Sequence, residues 1–99
     1  SEPEPYLIGD AAAGGWDAQL ADVDKFKLNA EGEYVSPVCK EGNLRMCVKL
    51  ENCDWWQTEF NVFDGKILFR GKGNDQDAVK VAAGQTVKLN FKDNTGSIQ

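Results

Sequence analysis

The sequence of 99 residues contains no histidine. The chain therefore lacks the usual general base, the commonest metal ligand and the side chain that normally titrates near neutral pH. Most hydrolytic mechanisms lose their central residue as a result. Glu31, Glu33 and Glu41 could supply a carboxylate pair for glycoside hydrolysis only across a deep cleft, which a domain of this size rarely has. We therefore expect no enzyme and no cofactor.

Long apolar runs and concentrated positive charge are also missing. No stretch approaches the roughly 20 apolar residues that a membrane-spanning helix needs. The 11 Lys and Arg residues are outnumbered by 16 Asp and Glu residues, giving a net charge of −5, and they are scattered along the chain. Nucleic acids and anionic membranes are poor partners, because both bind concentrated positive charge. Since no signal peptide is visible and the sequence begins at Ser1, we expect any export signal or lipid anchor to lie upstream.

The sequence gives no support for a metal site. Its three cysteines are Cys39, Cys47 and Cys53. Their spacing does not match the C-x2-C pairs of a zinc site; three disulfide pairings or three free thiols all remain open. Asn74, Asp75 and Asp77 partly match a calcium loop, but the Gly and the distal Glu of that loop are not at the required spacing. We expect no bound metal.

Length and composition indicate one folded domain. The hydrophobic share of 41% is ordinary for a globular protein once glycine is added. A chain of this length has no room for two cores. Residues 1–5 are polar and contain two prolines, which predicts a linker or arm. The domain is predicted to span residues 6–99.

Hydrophobic periodicity predicts short strands throughout this domain. Alternate residues are apolar in Leu44–Leu50, which predicts a strand with one core face and one cationic face. Asp64-Gly65 predicts a two-residue hairpin turn between two apolar runs. The remaining predicted strands are Tyr6–Ile8, Phe26–Leu28, Glu33–Val35, Phe60–Phe63, Lys66–Arg70, Val79–Val81, Thr86–Phe91 and one after the turn at 93–96. About eight short strands, with 17–25 irregular, predict an all-β sandwich.

Three tryptophans are the candidates for a binding function. Trp55 and Trp56 are neighbours, so on a strand their side chains would point to opposite faces and at least one ring would meet solvent. Trp16 ends a glycine-rich loop, where it would either plug the core or offer a flat face to a ligand. Flat aromatic faces beside hydrogen-bonding side chains suit sugars. Arg45 and Lys49 are the candidate donors; the alternatives are rings packed under loops and a merely solvated strand face.

The segment Leu7–Asp17, of sequence LIGDAAAGGWD, joins a short strand to Gly-Asp, a small-residue loop and Gly-Trp. This arrangement resembles the opening of the SusE/SusF outer-membrane starch-binding domains of Bacteroidetes. Further similar segments, covering nearly the whole domain, are Glu33–Val35, Lys40–Met46, Asp54–Trp56 and Val81–Phe91. The resemblance implies an immunoglobulin-like β-sandwich of seven or eight strands that binds α-glucan through an aromatic platform and a basic residue. Arg45 stands where the family's segment has Lys, and the cysteines are not part of its pattern.

The resemblance also implies a place for the chain in the cell. It predicts a non-catalytic glycan-binding module of a lipoprotein on the outer-membrane surface, held by a lipid anchor outside this segment. The expected partners are a polysaccharide, most simply an α-glucan, and outer-membrane importer proteins. The predicted ligand-binding residues are Trp16, Arg45, Lys49, Trp55 and Trp56. The alternative is a structural spacer or protein-docking domain of the same kind of surface protein, without sugar binding.

Overall fold

The structure, a computed structural model, describes residues 2–99. Its ten strands, numbered in chain order, are β1 Pro5–Ile8, β2 Lys27–Leu28, β3 Tyr34–Val35, β4 Gly42–Asn43, β5 Arg45–Val48, β6 Glu59–Phe63, β7 Lys66–Phe69, β8 Lys80–Val81, β9 Val87–Asn90 and β10 Thr95–Ile98. Two short 3-10 turns lie at Asp22–Asp24 and Trp55–Thr58. Within residues 2–99, no helix is long and apolar enough to cross a bilayer.

Eight of the strands form one antiparallel sheet in the order β1-β5-β6-β7-β10-β9-β3-β2. The sheet curls until its two ends approach each other, because Tyr6 of β1 forms a bridge with Lys25, just before β2. The N–H of Phe26 donates to the carbonyl of Pro5 at 3.0 Å, an ordinary hydrogen-bond distance. The curled sheet forms two facing halves, and the predicted all-β sandwich is confirmed.

The strand count exceeds the seven or eight expected, because β4 and β8 form a separate two-stranded ladder. Gly42 pairs with Val81, and Asn43 pairs with Lys80. The β8 strand was predicted from Val79–Val81, whereas Gly42-Asn43 has neither the length nor the apolar alternation that predicts a strand. This short strand depends on pairing with β8, which lies far along the chain, so the local sequence does not predict it.

The core lies between the two halves of the sheet. It includes Leu7, Tyr34, Leu44, Met46, Phe60, Val62, Ile67, Val87 and Leu89. The predicted hairpin is confirmed: Asp64 and Gly65 have φ angles of 51° and 77°, and they join β6 to β7. A turn with positive φ at both central residues matches the right-handed twist of the flanking strands, so β7 follows directly alongside β6.

The second face of β5 differs from the expected cationic surface. Cys47 is fully buried in a smaller cluster with Tyr6, Ile8 and Leu20. Leu20 comes from the irregular segment before the first 3-10 turn, and it packs over the face that the alternation assigns to solvent. Leu50, predicted to be in the core, is exposed beyond the end of the strand. The prediction was therefore wrong for Cys47 and Leu50.

All three cysteines are free thiols, which settles the open question of pairing. Cys39 and Cys47 are buried, whereas Cys53 is exposed. Burial in apolar surroundings disfavours a thiolate and raises the pKa of Cys47 to about 12; burial also raises the pKa of Cys39. The two buried thiols therefore act as small apolar side chains of the core.

Glu2 and Glu4, which belong to the predicted arm, contact the rest of the domain. The strand β1 begins at Pro5, one residue before the predicted start at Tyr6. The N–H of Lys49 donates to the carbonyl of Glu4 at 2.9 Å, and the hydroxyl of Tyr34 donates to the Glu2 carboxylate at 2.8 Å. The bond between Lys49 and Glu4 extends the pairing of β1 with β5 toward the N-terminus.

Candidate functional site

One open groove, of about 510 Å³, collects the three tryptophans. We call it the tryptophan groove. It is lined by Trp16, Arg45, Trp55, Trp56, Arg70 and Asp75. These residues come from the loop after β1, from β5, from the second 3-10 turn, and from the end of β7 with the polar loop that follows. The groove is therefore assembled by parts of the chain that are distant in sequence.

Trp16 is fixed at the surface by the glycine-rich loop. Gly9 has a φ of 93°, and a Cβ atom at that position would lie 3.3 Å from the Cζ2 atom of the Trp16 ring. The N–H of Gly9 donates to the carbonyl of Gly15 at 2.8 Å, and the indole Nε1–H of Trp16 donates to Oδ1 of Asp10 at 3.3 Å. The ring thus rests on the Gly9 backbone while 55% of the residue stays exposed.

Trp55 and Trp56 lie on a 3-10 turn and not on a strand, so the expected opposition of their side chains does not apply. The backbone N–H of Asp54 donates to Oε1 of Gln57 at 2.7 Å, which closes the start of this turn. Trp55 is half-buried and packs against the smaller apolar cluster, whereas Trp56 is 43% exposed. Both rings reach the groove because successive residues on a 3-10 turn are only a third of a turn apart.

The rings of Trp16 and Trp55 meet edge to face. Their centroids are 5.7 Å apart and their planes are inclined at 62°. The guanidinium carbon of Arg45 lies 5.4 Å from the Trp16 centroid and 5.8 Å from the Trp55 centroid. These distances are within the range of cation–π attraction, so Arg45 ties the two rings together. The result is an angled aromatic platform with a cation at its base.

Two arginines and two carboxylates form the polar side of the groove, and we call these four residues the arginine cluster. Nη1 of Arg45 donates to Oε2 of Glu59 at 3.0 Å, and Nη1 of Arg70 donates to Oε1 of Glu59 at 2.9 Å. Oδ1 of Asp75 lies 3.4 Å from Nη1 of Arg45 and 3.0 Å from Nη1 of Arg70. Glu59 is 2% exposed, and Asp75 has an exposed side chain.

The ion pairs of this cluster shift the titration of Asp75. A hydrogen bond from Arg45 and its positive charge hold the pKa of the Asp75 carboxyl below its usual value. Asp75 is therefore a carboxylate at neutral pH. The guanidinium carbon of Arg70 also lies 6.0 Å from the Trp56 centroid, so each arginine contacts a carboxylate pair and an indole.

The structure brings together four of the five predicted ligand-binding residues: Trp16, Arg45, Trp55 and Trp56. Lys49 lies elsewhere, with its Nζ atom 5.8 Å from the centroid of the Tyr6 ring, and it lines a different depression. The sequence reasoning missed Arg70, Asp75 and Glu59. The sequence could have indicated two of them, because the predicted hairpin pairs Phe60 with Phe69 and so brings the following Arg70 beside Glu59.

The loop that partly matched a calcium site forms ion pairs with two arginine side chains. Asp75 pairs with Arg45 and Arg70, so its carboxylate is already engaged. Within residues 2–99, no group of three His, Cys, Asp or Glu side chains is placed to hold a metal ion. Asp75 therefore belongs to the tryptophan groove.

A β-sandwich that presents indole rings and guanidinium donors in an open groove is typical of a carbohydrate-binding module. The comparisons with known proteins agree. The profile of the family described as SusF/SusE starch-specific CBMs matches residues 4–97, and the chain belongs to this family. It is therefore a non-catalytic starch-binding module, and the prediction that it is not an enzyme is confirmed.

Similarity to SusF, both in sequence and in structure, supports this assignment. The chain is 48% identical over 104 residues to the outer membrane protein SusF of Bacteroides thetaiotaomicron, an alignment that covers 99% of this chain and 21% of that protein. The crystal structure of SusF from the same organism superposes with a TM-score of 0.91 at 46% identity, covering 100% of this chain and 24% of the other. The chain thus spans about a fifth to a quarter of the length of these relatives.

Proposed function

We propose that the tryptophan groove is the glycan-binding site and that its ligand is an α-glucan. The glucose rings stack on Trp16 and Trp56, with Trp55 completing the platform, and Arg45 donates hydrogen bonds to sugar hydroxyls. The observation that carries this proposal is the convergence of all three indoles around two guanidinium groups in one open groove. Large apolar rings left at a surface favour a use there, since burial would otherwise stabilise the fold.

The angled platform supports a curved ligand. The planes of Trp16 and Trp55 are inclined at 62°, so a flat, extended chain cannot lie on both faces together. An α-1,4-linked glucan curves along its length, and successive residues turn toward different directions. Such a chain can follow the change of direction between the rings. The family description of starch-specific modules supports the same choice of ligand.

Donor groups remain for the sugar hydroxyls. Among the contacts within residues 2–99, Arg45 donates only through Nη1, and Arg70 donates through Nη1 and Nε. Within the described residues, the Nη2 groups of both arginines have no acceptor, so they can serve as donors to sugar hydroxyls. Lys49 was the second donor expected from the sequence, but its place beside Tyr6 leads us to assign that role to Arg70.

The expected affinity of a single module is weak. A stacked aromatic ring contributes about 1 kcal/mol beyond the area it buries, which places binding in the micromolar to millimolar range. Several modules on one polysaccharide would bind more tightly through effective concentration. The chain spans 21% of SusF, and this supports a role as one module among several.

We propose that this module lies at the surface of the cell that produces it. The printed name of the relative, outer membrane protein SusF, supports a location at the outer membrane through an anchor outside this segment. There it would hold polysaccharide near an importer. Accessibility of the module to antibody on intact cells tests the location, and co-purification of importer proteins with the full-length protein tests the partnership.

Calorimetric and fluorescence titrations against a panel of glycans test the binding function. The panel consists of α-glucans, β-glucans, mannans, xylan and pectic oligosaccharides. We expect a saturable signal with α-glucans, because the curvature of these chains fits the angled platform and the family is described as starch-specific. Silence across the panel with a folded sample would support the alternative of a spacer or docking domain, and saturation with another class would change the ligand.

A further inference from the structure

The open side of the arginine cluster is occupied by a carboxylate of the chain itself. We propose that Asp75 is a specificity-determining residue that excludes anionic polysaccharides, such as uronate-containing chains, from the tryptophan groove. This inference rests on the proposed function, since it concerns which glycans the same groove accepts. It assigns a role to a residue that contributes no aromatic surface and no donor.

The charges of the arginine cluster balance. Arg45 and Arg70 carry two positive charges, and Glu59 and Asp75 carry two negative charges. Without Asp75 the cluster would carry a net charge of +1. Two guanidiniums that face an open groove with one uncompensated charge form an effective site for a carboxylate or sulfate, because guanidinium groups bind such anions in planar, charge-assisted hydrogen bonds. Asp75 removes this uncompensated charge.

The two carboxylates lie on opposite sides of the guanidiniums. Glu59 is buried below them at the start of β6, so no ligand can reach it. The Asp75 side chain is 63% exposed, and one of its oxygens bridges both arginines at 3.4 and 3.0 Å. An anionic sugar that sought the same pair would have to displace this oxygen or lie beside it, where like charges repel.

The polar loop Gly71–Asp77 holds Asp75 in this place. On one side, Nε of Arg70 donates to the carbonyl of Gly73 at 3.1 Å. On the other, Nε2 of Gln76 donates to the carbonyl of Leu68 at 2.9 Å. Because Gly73 and Gln76, which lie on either side of Asp75 in the loop, are both tied to the end of β7, the carboxylate is positioned over the arginines before any ligand arrives. A neutral sugar does not compete with it, and a sugar hydroxyl can donate to its other oxygen.

The test measures the binding of two matched ligands to charge variants of the whole chain. The ligands are oligogalacturonate and the same oligosaccharide with its carboxylates methyl-esterified, which keeps the sugar but removes the charge. The variants are Asp75→Asn, Asp75→Glu and Asp77→Asn. Asp77 lies on the same loop and is exposed, so Asp77→Asn makes the same change in net charge outside the groove.

We expect Asp75→Asn to bind oligogalacturonate about two- to fivefold more tightly than the natural chain does at low ionic strength, the size of one exposed charge interaction. The gain should disappear at high salt, because exposed charges are then screened. Asp77→Asn and Asp75→Glu should show no gain, and the methyl-esterified ligand should not distinguish the variants. Equal gains for Asp75→Asn and Asp77→Asn, or no gain for Asp75→Asn, would overturn the proposal.

A parallel titration with maltoheptaose separates this proposal from the function on which it rests. If the natural chain binds maltoheptaose and Asp75→Asn gains nothing toward oligogalacturonate, the exclusion role is wrong and the binding function stands. If no variant binds maltoheptaose but Asp75→Asn gains oligogalacturonate, the exclusion role stands and the α-glucan assignment is wrong. Thermal unfolding of each variant confirms that the exposed substitutions leave the fold intact.

Discussion

The carboxylate of Glu59 holds the guanidinium of Arg45 through an ion pair of 3.0 Å in which the acidic partner is buried. A charge at this position must keep its partners, because a buried carboxylate without them would lose its hydration and gain nothing in return. The pair therefore fixes the long, flexible side chain of Arg45 beneath the aromatic platform. The same carboxylate holds Arg70, so one buried residue orders both cations of the groove.

Replacing this buried carboxylate should weaken both the fold and the site. Glu59→Gln keeps the shape but removes the charge that both arginines face. We expect the free energy of unfolding to fall by about 1–3 kcal/mol, the usual cost of disrupting a buried charge-assisted hydrogen bond, as measured by urea denaturation. Affinity for α-glucan should also fall, because Arg45 is no longer held. An unchanged stability would show that the ion pairs do not order the groove.

The tryptophans should separate into exposed and packed rings. Trp16→Ala and Trp56→Ala should each weaken α-glucan binding about fivefold while the variants stay folded, since stacking on a sugar is worth about 1 kcal/mol. Trp55→Ala should lower the melting temperature as well, because Trp55 packs on the apolar cluster around Tyr6 and Cys47. Calorimetry and thermal unfolding measure the two effects. Unfolding of the Trp16 or Trp56 variant would assign that ring to the core.

Arg70 and Lys49 are the two candidates for the second hydrogen-bond donor, and their substitution by alanine distinguishes them. Arg70→Ala should weaken binding several-fold, because it removes a donor and leaves part of the Glu59 charge without a partner. Lys49→Ala should leave binding unchanged, since Lys49 lies beside Tyr6 and outside the tryptophan groove. Titration calorimetry with maltoheptaose distinguishes them. The opposite ranking would return the second donor to Lys49.

The thiols should react in two classes. Cys53 is exposed, whereas Cys39 and Cys47 are buried and their pKa values are raised by burial. With a thiol-specific reagent at pH 8, we expect one fast reaction in the folded protein and two more after denaturation. The variant Cys53→Ser should lose the fast phase. Three fast reactions would show that the buried clusters open readily.

The parts of this fold that sequence predicts are those that depend on neighbours in the chain. The Asp64-Gly65 turn was predicted because its positive φ angles are a local property, and the core positions of β5 followed from alternation. Cys47 was misassigned because Leu20 covers it, and this contact joins residues far apart in the sequence. No local pattern carries such information.

The candidate site shows the same division. Trp16 could be predicted because the small-residue loop and the ring that it holds are adjacent in sequence. Arg70 and Asp75 could not, because their meeting with Arg45 depends on the register of β5, β6 and β7 and on the course of a polar loop. The adjacent pair Trp55-Trp56 lies on a 3-10 turn and not on a strand, and so short a turn has no hydrophobic periodicity from which it could be predicted.

The most direct test of the binding site is a titration of the 15N-labelled protein with maltoheptaose, followed through the indole N–H signals of the three tryptophans. If the tryptophan groove binds α-glucan, the signals of Trp16, Trp55 and Trp56 shift together and saturate, and the backbone signals around Lys49 stay in place. If instead the shifts are confined to another surface, such as the depression lined by Asp10, Glu41 and Lys80, or if no signal moves, the assignment of the groove is contradicted.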